Sequence, residues 1–113
     1  MPPDPLPVVW TGETATVRLP GEVDVTNAAA VLTDLTAVLD NGAKVVIADM
    51  SGTTFCDSAG LASLVRAHRH ATDNQARLRL VTTAPAVERV LSLTGVETII
   101  PVFRTVADAR SAE

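Results

Sequence analysis

Few side chains in this sequence could do chemistry, and most of them crowd into one stretch, Thr54-Phe55-Cys56-Asp57-Ser58-Ala59-Gly60-Leu61. It sets a thiol, a carboxylate and a hydroxyl side by side. Before it runs Lys44-Val45-Val46-Ile47-Ala48, a β-branched run that reads as a buried strand. After it, Leu61, Leu64 and Val65 recur at helical spacing, with His68 next on the same face. Asp57 and Ser58 therefore stand at a strand-to-helix junction. Ser58 is placed as the N-cap, its hydroxyl accepting an unpaired first-turn amide. A hydroxyl there is also well placed to carry a phosphate, because the dipole and free amides of a helix N-terminus favour negative charge. Gly60 lets the backbone lie close to a neighbour or a partner.

Other chemistries fit less well. A nucleophilic Ser58 lacks a base: there is no Gly-x-Ser-x-Gly elbow, and His68 lies ten residues along the same helix, about 15 Å away. No catalysis is expected. Asp57 could ligate Mg2+, cap the helix or contact a partner, but a lone carboxylate does not make a metal site. Cys56 is the only cysteine, which excludes an intrachain disulfide and fits a reducing compartment. At the end of a core strand it reads as a small buried hydrophobe. His68 and His70 are two apart and face different ways on a helix, so they do not form a metal pair. Neither a metal nor a cofactor is expected.

The elements that position this stretch follow from the rest of the chain. Its 113 residues suit one domain with one core. Hydrophobic content of 47% fills such a core, and with aromatics at 3% the filling must be aliphatic. A net charge of -4 without a Lys/Arg run argues against nucleic acid or an anionic membrane surface as partner. No apolar signal segment or bilayer-length run is present, so a cytoplasmic, soluble protein is expected. Residues 1–7, with four prolines, read as a flexible lead-in, and residues 8–113 as the single domain. Val8-Val9-Trp10 and Thr14 to Leu19 read as a hairpin turning at Gly12-Glu13. Thr26 is the expected N-cap of a first helix striped by Ala28, Val31, Leu32, Leu35, Val38 and Leu39, and Gly42 ends it. The second helix runs to about Thr72, followed by a strand over Leu78 to Val81. Pro85 opens a third helix that Gly95 closes. Thr98-Ile99-Ile100 reads as a short strand stopped by Pro101, and Thr105 to Arg110 as a weak final helix. Alternating strands and helices after residue 26 imply an α/β fold with a largely parallel sheet, made mixed by the opening hairpin.

The central stretch resembles the signature of the STAS domain, as found in bacterial anti-sigma factor antagonists. The pattern of an acidic residue on a strand, a small polar residue, an aromatic and then Asp-Ser-x-Gly-Leu reads here as Asp49, Ser51, Phe55, Asp57, Ser58, Gly60 and Leu61. A Gly-Glu-hydrophobic-Asp turn before the first helix is matched by Gly21-Glu22-Val23-Asp24, and a Pro-containing helix ending in Gly by Pro85 to Gly95. These landmarks keep their order over residues 8–109. The resemblance implies a mixed four- to five-stranded sheet with helices packed mainly on one side. It implies an anti-sigma factor antagonist whose unphosphorylated form binds an anti-sigma factor, a serine kinase of the histidine-kinase ATPase fold, and so releases a sigma factor. Phosphorylation at Ser58 would switch it off, and a serine phosphatase would restore it. Asp24, Asp57, Ser58 and Gly60 are the expected partner-binding positions. Asp24 should lie near Ser58, facing an Arg of the kinase, and Asp57 should support the loop, as should Asp49 and Ser51. A different role for the same module is assembly into a transporter or lipid-transfer complex.

Overall fold

The alternation at the start of the chain folds as a hairpin, β1 (Val8–Thr11) pairing antiparallel with β2 (Thr14–Arg18) around Gly12, whose φ is positive. The structure, a computed structural model, describes residues 4–112. Chain order continues with β3 (Glu22–Val23), α1 (Ala28–Asp40), β4 (Val45–Asp49), β5 (Phe55–Cys56), α2 (Ser58–Asp73), β6 (Arg77–Val81), α3 (Pro85–Leu93), a 3-10 turn (Val96–Thr98), β7 (Val102–Phe103) and α4 (Val106–Ser111). The main sheet has five strands in the order β1-β2-β4-β6-β7, all parallel except the β1–β2 pair. This is the mixed α/β sheet that the sequence implied.

Period-two alternation decides what each face carries. Ala15, Val46 and Leu78 stand in register across β2, β4 and β6, as do Val17, Ala48 and Leu80 one row along. All six are buried in the larger core with Val31 and Leu35 of α1, Leu61 and Leu64 of α2, and Val87 and Leu91 of α3. On the opposite face Ile47, Val81 and Ala109 form a smaller cluster under α4. Covering both faces explains why β4 is apolar from Val45 to Ala48. Three helices thus share one side and the short α4 the other. Arg79, in register with Ile47, lies on the α4 side and is buried. Its Nη1 donates to the Ala109 carbonyl at 2.8 Å, satisfying an otherwise orphaned acceptor at the end of α4.

Two local expectations are corrected. Asn27, not Thr26, stands at the N-cap of α1, and its side chain makes no cap bond. The Thr26 hydroxyl is drawn to Asp24 instead. The strand expected at Thr98-Ile99-Ile100 is absent. Gly95, at φ 78, folds the chain into the 3-10 turn, with Ile99 and Ile100 amides bonded to the Val96 carbonyl and Ile100 buried. Pairing resumes only after Pro101, whose carbonyl accepts from Leu80. A two-stranded ribbon of β3 and β5 was not legible as strands at all. Of the expected lead-in, residues 1–3 lie outside the described residues. The Leu6 amide donates to Asp34 Oδ2 at 2.9 Å and its side chain packs on the core.

After α2, Gln75 takes the left-handed conformation, φ 58, where glycine is favoured. A β-carbon there costs about 1–2 kcal/mol, less the unfolded-state entropy that glycine adds. Gln75→Gly should therefore leave the fold unchanged and raise the unfolding free energy by up to ~1 kcal/mol. Urea denaturation of both proteins measures this.

Candidate functional site

The site is made by two loops that leave the same end of the sheet and are zipped together. After β4, Asp49 Oδ1 accepts the Ser51 amide at 3.0 Å, closing a turn. Thr53 is fully buried, and its hydroxyl donates to the Pro20 carbonyl at 2.8 Å. The Thr54 amide and hydroxyl both donate to the Gly21 carbonyl, at 2.8 and 3.3 Å. Parallel pairing of Glu22 with Phe55 and of Val23 with Cys56 then extends the zipper to the start of α2.

Asp57 ends that zipper and begins the helix. Its amide donates to the Val23 carbonyl at 3.1 Å. Its Oδ1 accepts the Gly60 amide at 2.9 Å, and its Oδ2 accepts the Val25 amide at 3.1 Å. Asp57 is therefore the N-cap, and the expectation that Ser58 fills that place is corrected. An acidic cap satisfies the first-turn amide and the dipole together. Ser58 becomes the first helical residue, is exposed, and its hydroxyl bonds no protein group among the described residues.

The Asp24 turn is held beside it through the Val25–Asp57 bond. Asp24 Oδ1 accepts both the amide and the hydroxyl of Thr26. The Asp24 amide donates to Asn27 Oδ1 at 2.9 Å, and Asn27 Nδ2 donates to the Glu22 carbonyl at 2.7 Å. The Thr26 hydroxyl, foremost, and then the Thr26 amide hold the Asp24 carboxyl below its ordinary range, against a smaller opposing effect of burial. So Asp24 and Ser58 share one end of the molecule, with the Asp24 carboxylate tied within its own turn.

Gly60 is buried, and a β-carbon there would sit 2.6 Å from the Val23 carbonyl and 2.9 Å from Cys56 Sγ. Its observed part in the site is the close approach of α2 to β3 and β5. Burial first, and the Asp57 charge second, push the Cys56 thiol up to about 11. It remains a protonated, buried thiol near neutral pH, which removes it as a nucleophile. His68 and His70 do not join Ser58. His70 Nε2 instead meets Asp40 Oδ1 at 2.8 Å, linking the C-terminal ends of α1 and α2. Among the described residues no three His, Cys, Asp or Glu side chains gather as a metal would need.

Beside the carboxylates of Asp24 and Asp57, this end of the molecule also exposes apolar side chains. Val25 is 75% exposed and Phe55 49%. A groove of about 490 Å³ runs between α1 and α2, lined by Val25, Ala28, Leu32, Ala59, Ala62 and Arg66 among others. Sequence reasoning missed this groove. Its signal was present in Val25, an aliphatic residue inside a polar turn, and in small residues recurring on both helices.

The STAS domain family model matches residues 6–109. The chain belongs to the STAS domain family. Its fold is shared with a Mycobacterium paratuberculosis anti-sigma factor antagonist at 25% identity and a TM-score of 0.85, covering 94% of this chain and 90% of that one. The anti-sigma factor antagonist SpoIIAA in its unphosphorylated form matches at 22% identity and a TM-score of 0.77, over 93% of this chain and 92% of that one. The phosphorylated form of the Bacillus cell fate determinant SpoIIAA matches at 21% and 0.70, over 93% and 96%. No helix of the described residues in this STAS domain is long and apolar enough to cross a membrane.

Two consequences are measurable. In Gly60→Ala the new methyl meets the Val23 carbonyl first, and Cys56 Sγ and Val23 Cγ1 beside it, so α2 must shift away from β3 and β5, at about 1–3 kcal/mol. Thermal melting and the amide shifts of Val23 and Val25 should both report it. Asp24 should titrate below the usual 3.8, and Thr26→Val should raise its midpoint, as followed by carboxyl NMR. With its folded pKa depressed, any stability from Asp24 is present above the unfolded value and lost as pH falls through the folded one.

Proposed function

We propose that this STAS domain is an anti-sigma factor antagonist switched by phosphorylation of Ser58. In its unphosphorylated form it captures an anti-sigma factor, a serine kinase of the histidine-kinase ATPase fold, and a sigma factor is thereby released in the bacterial cytoplasm. The kinase transfers the γ-phosphoryl group of ATP to the Ser58 hydroxyl, which ends the complex, and a serine phosphatase resets it. The observation that carries this reading is an exposed, unengaged hydroxyl on the first residue of α2, at an end of the molecule that also exposes Val25 and Phe55. Membership of the STAS family and likeness to antagonists, one of them known in both phosphorylation states, support it.

The physical basis of the switch is desolvation. Phosphate adds about −1.5 to −2 charges. The start of α2 favours it by ~0.3–1 kcal/mol, while the Asp57 carboxylate next door repels it. These oppose each other in the free protein, so the fold should be indifferent. In the complex, an apolar collar closing over a dianion leaves it unpaired, costing several kcal/mol. A loss of ~3 kcal/mol is more than a hundredfold in affinity. Asp24 contributes attraction to an Arg of the partner, and Asp57 contributes by fixing the height at which Ser58 is presented.

Ser58→Ala should accept no phosphate from the cognate kinase, with Thr53 and Thr54 remaining unmodified by mass spectrometry. Stoichiometric labelling of that variant would overturn the assignment. The Ser58 phosphoform should keep the amide spectrum and melting temperature of the free protein while binding the anti-sigma factor at least a hundredfold more weakly. A global spectral change would mean that the switch works through the fold. Ser58→Asp, with less charge, should reproduce only part of the loss. Asp24→Ala should cost about 1–3 kcal/mol in calorimetric binding and little in stability.

A further inference from the structure

The chain carries a net charge of -4, yet one cavity has cations and no carboxylate among the described residues that line it. It lies at the end of α2 remote from Ser58. There β7 is too short to accompany β6, pairing only with Leu80 and Val81. The first residues of β6 are left to border a cavity of about 620 Å³. Its wall includes His68 and Thr72 of α2, Arg77 and Arg79 of β6, and Pro101 and Phe103 from the segment that carries β7.

Arg79 is the residue that needs explaining. Only 5% of it is exposed, and its one protein hydrogen bond among the described residues is the Nη1 contact with Ala109. No buried side-chain nitrogen there lacks a partner, so the remaining donors of the guanidinium reach solvent. The cavity is the space that Arg79 lines. Arg77, two residues earlier on the same face of β6, adds a second positive charge. Desolvation, and then the Arg77 charge, disfavour the protonated Arg79. Among the described residues neither arginine has a carboxylate within ion-pair distance. A guanidinium held against protein with donors open to solvent, beside a like charge, favours an anion at that opening. A guanidinium fork matches a planar carboxylate in two parallel hydrogen bonds, and Pro101 and Phe103 supply apolar contact for what the carboxylate is attached to.

We propose that this cavity binds a small carboxylate bearing an aromatic or aliphatic body, its head on Arg79 and Arg77 and its body against Pro101 and Phe103. The site is separate from Ser58 and does not depend on the antagonist reading.

The test is an NMR titration of the full chain with naphthoate, with its neutral analogue naphthylmethanol, and with inorganic phosphate. Naphthoate should give saturable amide shifts at Thr72, Arg77, Arg79 and Phe103, and none at Ser58 or Val25. The alcohol should bind at least tenfold more weakly, as should naphthoate to Arg77→Gln, an exposed position whose change leaves the core intact. Equal binding of alcohol and acid would overturn the proposal, as would unchanged affinity of Arg77→Gln with a native amide spectrum. Naphthoate leaving these four amides unmoved at millimolar concentration would overturn it too. Phosphate binding as tightly as naphthoate would overturn the assigned class, because the apolar wall would then contribute nothing.

Discussion

Two backbone amides, those of Val25 and Gly60, meet on the single carboxylate of Asp57. The geometry of the whole signature end depends on this meeting. Each amide would otherwise be unpaired: one belongs to an irregular turn, the other to the first turn of a helix. By accepting both, Asp57 fixes the Asp24 turn and α2 in one frame. The Asp57 amide on Val23 and the β3–β5 ribbon supply the third and fourth fastenings. Gly60 then sets how closely the frame can shut, since nothing larger than hydrogen fits above the Val23 carbonyl. Ser58 is carried on this frame as a passenger: it is exposed, and among the described residues its hydroxyl holds no structural bond.

The sheet beneath serves the frame in a simple way. Parallel strands deliver their C-terminal ends to one side, where the loops after β2 and β4 emerge as neighbours. Rows of small and branched residues, Ala15-Val46-Leu78 and Val17-Ala48-Leu80, allow α1 and α2 to lie close above them. With almost no aromatic residues in that core, the exposure of Phe55 and Trp10 is a notable use of large apolar surface outside it. At the opposite end of α2 the sheet frays, because β7 is short, and the part of β6 left uncovered gives a second and chemically distinct surface.

Much of this was legible in the sequence because it rests on periodicity and on special backbone positions. The stripes of α1 and α2, the hairpin at Gly12, and the ends of α1 and α3 at Gly42 and Gly95 all follow from local rules. The juxtaposition of Asp24 with Ser58 came from the resemblance. What was not legible depends on partners distant in sequence. Whether Asp57 or Ser58 caps α2 is undecided locally, since both residue types cap well; the Val25 amide across the loop favours the carboxylate. Thr26 had the right chemistry for a cap and was captured by Asp24. Two-residue strands such as β3 and β5 have no period to detect. The Thr98-Ile99-Ile100 run has strand propensity, yet Gly95 and the buried Ile100 bend it into a turn.

The hydroxyls of the signature loop differ in their engagement. Thr53 faces inward with its proton committed to Pro20, and Thr54 leans on Gly21. Ser58 stands clear in solvent. Of these three hydroxyls the fold withholds Thr53 altogether, leaves Thr54 exposed but bonded, and leaves only Ser58 exposed with no bond among the described residues. For the proposed kinase, selectivity would in this way be written into the domain's own tertiary structure. A thermally unfolded chain would offer all three hydroxyls alike, so the difference among them is kept by the same few hydrogen bonds that keep the loop folded.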